Sequence, residues 1–204
     1  MSDAPRPDWP ARAAEGLTLP PAYFDDVYAA ADDPWRFETS PYEAEKYAAT
    51  LAALPRPRYG SAFEIGCSIG VLTARLAGRC DRLLAVDVSG RALARARART
   101  AGLPHVRVER LRVPDEFPRE RFDFVLLSEV GYYWGEADGA RALDEIAGAL
   151  GAGGELLLVH WTPAVPDYPR TGDAVHAQAL ARPEFRHVHG ERHPQYRLDL
   201  LERR

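Results

Sequence analysis

At 204 residues the chain fits one domain, which buries roughly 70% of the surface its unfolded form exposes. A hydrophobic fraction of 46% and a charged fraction of 27% are those of an ordinary globular protein. The net charge of −4, with arginines spread along the chain, argues against a nucleic-acid partner, because phosphate contacts need a clustered basic surface.

Residues 1–20 are rich in Pro and Ala and read as a loose tail. They lack the apolar core of a signal peptide, and no apolar run approaches the ~20 residues of a membrane span, so a cytoplasmic location is expected. Residues 21–31 place Tyr23, Phe24, Val27 and Tyr28 at helical spacing, and 33–37 read as a turn. Ser40, Pro41 and Glu43 supply an N-cap, a proline at the first helical position and the acid of a capping box. That helix should run to about Leu54, where Pro55 and Pro57 end it. From there strands alternate with helices. The strands are expected over 61–65, 82–88, 106–111, 122–128 and 155–161, and the helices over 70–79, 91–101, 137–150 and 173–181. Strands over 185–189 and 196–201 close the chain as a hairpin. The pattern predicts an α/β, Rossmann-like fold with a mostly parallel seven-stranded sheet and an antiparallel last strand. The expected layout is one domain over 21–204, with a helical cap or lid over 21–56 and the core over 57–204.

The diagnostic loop is Glu64-Ile65-Gly66-Cys67-Ser68-Ile69-Gly70, which leaves the first strand and enters a helix. Its glycines let backbone approach a ligand, and the helix start offers free N–H donors. Asp87 ends the second strand 21 positions after Gly66, where a carboxylate can accept both hydroxyls of an adenosine ribose. Glu64 can meet the amino group of a methionine tail, a charge that would be out of place beside a pyrophosphate. The dinucleotide pattern also fails, because it needs glycine at positions 68 and 71 and finds Ser68 and Val71. Cys67 and Cys80, the two cysteines, stand at neither metal-ligand nor redox spacing and suit small buried thiols.

The segments FEIGCSIG, LLAVDVS, FDFVLLSEVGYYW and GGELLLVHW resemble the blocks of class I S-adenosylmethionine-dependent methyltransferases. DPWRFETSPYEAEKY resembles the nodulation protein S family, N-methyltransferases acting on a free amine of a deacetylated chitin oligosaccharide. The resemblance spans roughly residues 23–161. It implies S-adenosylmethionine as cofactor, with Trp35 and Arg36 folding over it, Arg36 near its carboxylate, and Tyr42 and Tyr47 closing the pocket. Cys67, Val88 and Ser128 complete the expected cofactor site. Ser68 stands where glycine is common. The acid that often meets the adenine amine would fall near Leu111 and is absent, so Leu111 and Arg112 are expected to cover the ring.

Methyl transfer from a sulfonium is an in-line displacement that chiefly needs alignment and exclusion of water. Candidates to orient an acceptor or take its proton follow the fourth and fifth strands: Glu129 and Tyr132 first, then His160, then His176. Tyr133, Trp134, Trp161 and Tyr168 would crowd the same rim, where flat apolar faces can stack on a sugar. The acceptor expected is a small amino-sugar-like molecule. O-methylation of a small natural product, or cofactor binding without turnover, are the alternatives. No metal is expected.

Overall fold

The computed structural model describes residues 8–204. Most of the fold follows from strands that are apolar on both faces. β1 (Ala62–Ile65) is buried throughout, and β2 (Leu83–Asp87) nearly so, as parallel strands covered on both sides must be. With β3 (Val106–Arg110), β4 (Phe122–Ser128), β5 (Leu150–Trp161), β6 (Phe185–Arg192) and β7 (Tyr196–Arg203) they form one sheet, in the order β3-β2-β1-β4-β5-β7-β6. β7 pairs antiparallel with both β5 and β6, and the other pairs are parallel. β7 is therefore the single reversed strand, as the closing hairpin predicts.

Successive β4 residues divide between two cores. Phe124 and Leu126 pack with Tyr59, Leu76 and Leu157, whereas Val125 and Leu127 pack with Phe63, Ile146 and Leu156. Two flanking helices bracket β2 in the chain: α4 (Val71–Leu76), prolonged by a 3₁₀ turn (Ala77–Arg79), and α5 (Gly90–Thr100), capped by Ser89. The third is α6 (Glu136–Ala149), and the fourth, α7 (Gly172–Leu180), is capped by Thr171. α6 runs into β5 with no loop, so β5 begins at Leu150 rather than Glu155. The glycines at 151, 153 and 154 look like a turn, but Leu150 pairs with Phe122 across an irregularity in the ladder.

The N-terminal segment departs from the expected loose tail. Residues 1–7 lie outside the described residues, but Asp8 caps α1 (Trp9–Ala14) by accepting the Ala11 N–H at 3.1 Å. Trp9 packs edge-on against Tyr23, and buried Leu19 donates its N–H to the Tyr133 carbonyl at 2.9 Å. Thr18 bonds Asp138 and accepts the Gly135 N–H, which straps residues 17–20 to the start of α6. The cap follows as α2 (Pro21–Ala30) and α3 (Pro41–Ala52).

A buried chain of polar side chains ties α7 to the reversed strand. The Gly131 N–H donates to His160 Nε2 at 3.1 Å, so the neutral ring carries its proton on Nδ1. That proton points to His176 Nε2 at 3.1 Å, and His176 Nδ1–H meets Asp199 at 2.6 Å. Both rings are fully buried, and burial pushes both imidazoles below the usual histidine range, His160 far below. A depressed folded-state pKa means that the unfolded chain takes up protons first as pH falls through about 6.5. Below that pH, stability should fall by up to about 1.4 kcal/mol per pH unit for each histidine. Urea unfolding between pH 7.5 and 5 measures this, and His160→Gln, which keeps an acceptor and cannot titrate, should lower the wild-type slope by up to about 1.4 kcal/mol per pH unit.

Candidate active site

The strand order reverses between β1 and β4, and the ends of these two strands open the crevice where ligands bind in such sheets. A cavity of about 450 Å³ lies there, floored by the carboxyl ends of β1, β2 and β4 and roofed by α2, α3 and the turn between them. A smaller recess of about 30 Å³ continues from it behind the first loop, reaching Glu64, Cys67 and Ser128.

The loop after β1 is shaped by backbone that only glycine takes readily. Gly66 has φ +79°, and an added Cβ would fall 2.0 Å from Val130 Cγ2. Gly70, at φ +78°, caps α4 without lining the cavity, and its Cβ would meet the Ala96 backbone at 2.9 Å. Ser68 takes φ 51° without being glycine, a conformation that costs an L-residue roughly 1–2 kcal/mol. Two contacts hold it there: its N–H donates to Asp87 Oδ2 at 2.9 Å, and its hydroxyl bonds Tyr28. Asp87 Oδ1 accepts the Ser89 N–H at 2.9 Å, so one carboxylate fixes the loop and the start of α5 while lining the cavity.

Glu64 is 3% exposed, and its Oε2 has no hydrogen-bond partner among the described residues. Burial, with Asp87 adding to it, pushes its carboxyl up to about 7. An orphaned buried carboxyl oxygen suits a ligand's ammonium group, so the residues present fit the amino-acid tail of S-adenosylmethionine. Asp87 would face the ribose, while Val88, Leu111, Arg112 and Val130 line the stretch left for the base. Trp35 also lines the cavity, stacked on Phe37 at 5.5 Å. Arg36 lies apart: it is exposed, takes φ 59°, and makes no side-chain hydrogen bond or ion pair among the described residues. Tyr47 borders the smaller recess. Burial pushes the Cys80 thiol up to about 12 and the Cys67 thiol well above its usual range, so both are inert thiols.

The opposite end of the cavity is built around Glu129, which takes φ 58° at the end of β4. Its Oε2 accepts the Tyr132 hydroxyl at 2.5 Å and the Trp161 N–H at 3.1 Å, and its Oε1 accepts Lys46 Nζ at 2.7 Å. Lys46, the only lysine in the chain, is 2% exposed and also donates to Glu43 at 3.0 Å. Burial alone would lower the Lys46 ammonium, but Glu129 and Glu43 reverse this and raise it, so it stays charged. Around them stand Tyr42, Tyr133, Trp161 and Tyr168, the last stacked on Tyr132 at 4.8 Å.

Of the residues expected after the fourth and fifth strands, Glu129, Tyr132 and the aromatic rim line the cavity, and His160 does not. His160 is fully buried beneath the Gly131–Tyr133 turn, with its Nε2 occupied by the Gly131 N–H, and it does not line the cavity. His176, bonded to the far side of the His160 ring, is likewise at 0% exposure. The capping box at α3 is also only half formed. Ser40 accepts the Glu43 N–H at 3.4 Å, but the Glu43 carboxylate turns inward to Lys46 instead of back to Ser40. Lys46 was missed, although a lone lysine among arginines inside an amphipathic helix was its signal.

The parallel sheet with one reversed strand, the glycine loop and the acid closing β2 together make this the class I methyltransferase fold. A family model described as nodulation protein S (NodS) matches residues 26–167, and the chain belongs to that family. It is 35% identical to nodulation protein S of Rhizobium tropici over 131 residues, 63% of this chain and 55% of that one. The chain spans about half the length of the curated relatives it matches. A solved N-methyltransferase NodS from Bradyrhizobium japonicum, in complex with S-adenosyl-L-homocysteine, is 25% identical. It superposes with a TM-score of 0.80 over 89% of this chain and 97% of that one. A protein from Pseudomonas syringae assigned as a methyltransferase is 41% identical, with a TM-score of 0.71 over 79% and 99%. Among the described residues no helix is long and apolar enough to cross a membrane, and no acid, histidine or cysteine cluster is arranged to hold a metal.

If Glu64 receives the ligand's amino group, S-adenosyl-L-homocysteine must meet it as a carboxylate. Affinity should then fall as pH drops below about 7, approaching tenfold per pH unit, because the proton must first leave Glu64. Calorimetry from pH 8 to 5.5 reads this directly. Glu64→Gln should bind more weakly at pH 8 and lose the pH dependence, whereas a wild-type affinity flat across that range would place the amino group elsewhere.

Proposed function

We propose that the chain is an S-adenosylmethionine-dependent methyltransferase that N-methylates a free amine on a small, amino-sugar-like molecule. The observation that carries this reading is the cavity's division into two differently built ends. At one end are the Gly66–Ser68 turn, Asp87 and the unpartnered Glu64 oxygen, suited to the cofactor's ribose and amino group. At the other, two carboxylates and one ammonium are walled by aromatic rings, an acidic pocket for a cationic acceptor with flat faces for a ring. Membership of the nodulation protein S family supports the same reading.

When bound, S-adenosylmethionine supplies an electrophilic methyl group on a sulfonium. The protein's share is placement. Glu129, fixed by Lys46, Tyr132 and the Trp161 N–H, offers its carboxylate to the acceptor's N–H groups. Leu19 on the strap and the ring of Phe24 line the same cavity, where their apolar surface would help displace water around the bound reactants. The aromatic wall would orient the acceptor's ring and so present its nitrogen to the methyl group.

The test is labelled S-adenosylmethionine with matched pairs of amino sugars, glucosamine against N-acetylglucosamine and a chitosan oligomer against its acetylated form. Label should enter only the members with a free amine. Equal labelling of both members of a pair would mean a hydroxyl acceptor and overturn the amine reading.

A further inference from the structure

The acidic end of the cavity holds two carboxylates in different states. Glu129 has both oxygens occupied, by Lys46 on one and by Tyr132 and the Trp161 N–H on the other. Protonating it would break an ion pair and disturb the turn that carries Tyr132. Glu43 is different. Its side chain is 9% exposed, its Oε1 accepts Lys46 at 3.0 Å, and its Oε2 is buried with no partner among the described residues. The Tyr42 hydroxyl, one residue earlier on α3, is likewise buried and unpartnered, and both residues line the cavity. Each of these orphaned buried polar atoms is costly unless something partners it.

The charges around this wall are Glu43 and Lys46 on α3 and Glu129 at the end of β4. The phenols of Tyr42 and Tyr47 stand beside them, and Glu64 on β1 lies beyond Tyr47. Two carboxylates against one ammonium leave one negative charge in an apolar, aromatic-walled space, which is complementary to a single added cation.

Taking the amine reading above as its basis, we infer that Glu43 and Tyr42 form the acceptor's ammonium subsite and that Glu43, rather than Glu129, takes the proton. The ammonium donates to Glu43 Oε2 and Tyr42 Oη, and one N–H proton passes to Glu43. The freed lone pair forms the N–C bond to the sulfonium methyl while the C–S pair stays on sulfur as a thioether. Positive charge therefore moves from sulfur to the methylated nitrogen, beside Glu129, and Glu43 later returns its proton to solvent. Burial raises the Glu43 carboxyl above its ordinary value, against the pull of Lys46, which brings it closer to the task of a base at neutral pH. Lys46 keeps Glu129 as its partner when Glu43 is protonated, so the step does not strand a buried cation.

The experiment compares wild type, Glu43→Gln, Glu43→Asp and Glu129→Gln with glucosamine as acceptor, S-adenosyl-L-homocysteine affinity serving as the control for folding. Glu43→Gln should bind S-adenosyl-L-homocysteine within about threefold of wild type while kcat at pH 7 falls roughly 10²–10⁴-fold, the scale of general-base loss. Its rate should climb again as pH rises toward the pKa of glucosamine, because bulk base then does the work of Glu43. Glu43→Asp, which keeps the charge beside Lys46, should recover part of the rate. Glu129→Gln should raise KM and show no such recovery with pH. Calorimetry on the S-adenosyl-L-homocysteine complex adds a second reading, in which Glu43→Gln weakens glucosamine binding at least tenfold. A Glu43→Gln enzyme within threefold of wild-type kcat at pH 7, or one whose loss is the same at every pH, would overturn the assignment while leaving the amine reading intact. Wild type that labels only hydroxyl acceptors would remove the amine reading itself, and this inference with it.

Discussion

The Lys46 ammonium, buried between Glu43 and Glu129, is the interaction on which the rest of the site depends. It joins two elements 83 positions apart, the first turns of α3 and the end of β4, with the ammonium itself 2% exposed. Removing one partner of such a buried pair typically costs about 3–5 kcal/mol, because the other charge is left uncompensated. The same contact fixes the Glu129 carboxylate for the Tyr132 hydroxyl and the Trp161 N–H, and so sets the floor beneath the aromatic rim. The cap over the cavity is therefore held by the groups that give the cavity its charge.

Strained backbone collects at the same place. Among the described residues, Arg36, Ser68 and Glu129 are the non-glycine residues with positive φ, and Ser68 and Glu129 line the cavity while Arg36 stands in the turn above it. Each conformation is unfavourable and persists where surrounding contacts over-determine it. Asp87 and Tyr28 do so for Ser68; Lys46, Tyr132 and the Trp161 N–H do so for Glu129. The departure from glycine at position 68 is thus offset by hydrogen bonds.

What could be read from the sequence was what has a local cause. Apolar strand runs, the Ser40, Ser89 and Thr171 caps and the glycine loop each act within a few residues, and the sheet, its helices and the Gly66–Ser68 end of the cavity follow from them. The glycines at 151–154 misled because glycine marks turns far more often than strand starts. Long-range pairings were not legible. Glu43 looked like a cap residue because of its spacing from Ser40, whereas it pairs with Lys46, whose second partner, Glu129, lies 83 positions along the chain. His160 looked catalytic because it ends a strand, yet the Gly131 N–H had already claimed its free nitrogen. Residues 8–20 looked loose because Trp9 and Leu19 are apolar singletons whose partners, Tyr23 and Tyr133, lie on other elements.

A single cavity serving both reactants, with the acceptor's nitrogen between two carboxylates, is the central claim. A crystal structure of the protein with S-adenosyl-L-homocysteine and glucosamine tests it most directly. The homocysteine amino group is expected on Glu64, the ribose on Asp87, and the sugar nitrogen within about 3 Å of both Glu43 and Glu129, facing the sulfur. A sugar nitrogen directed away from both carboxylates, with a hydroxyl oxygen facing the sulfur in its place, would contradict it.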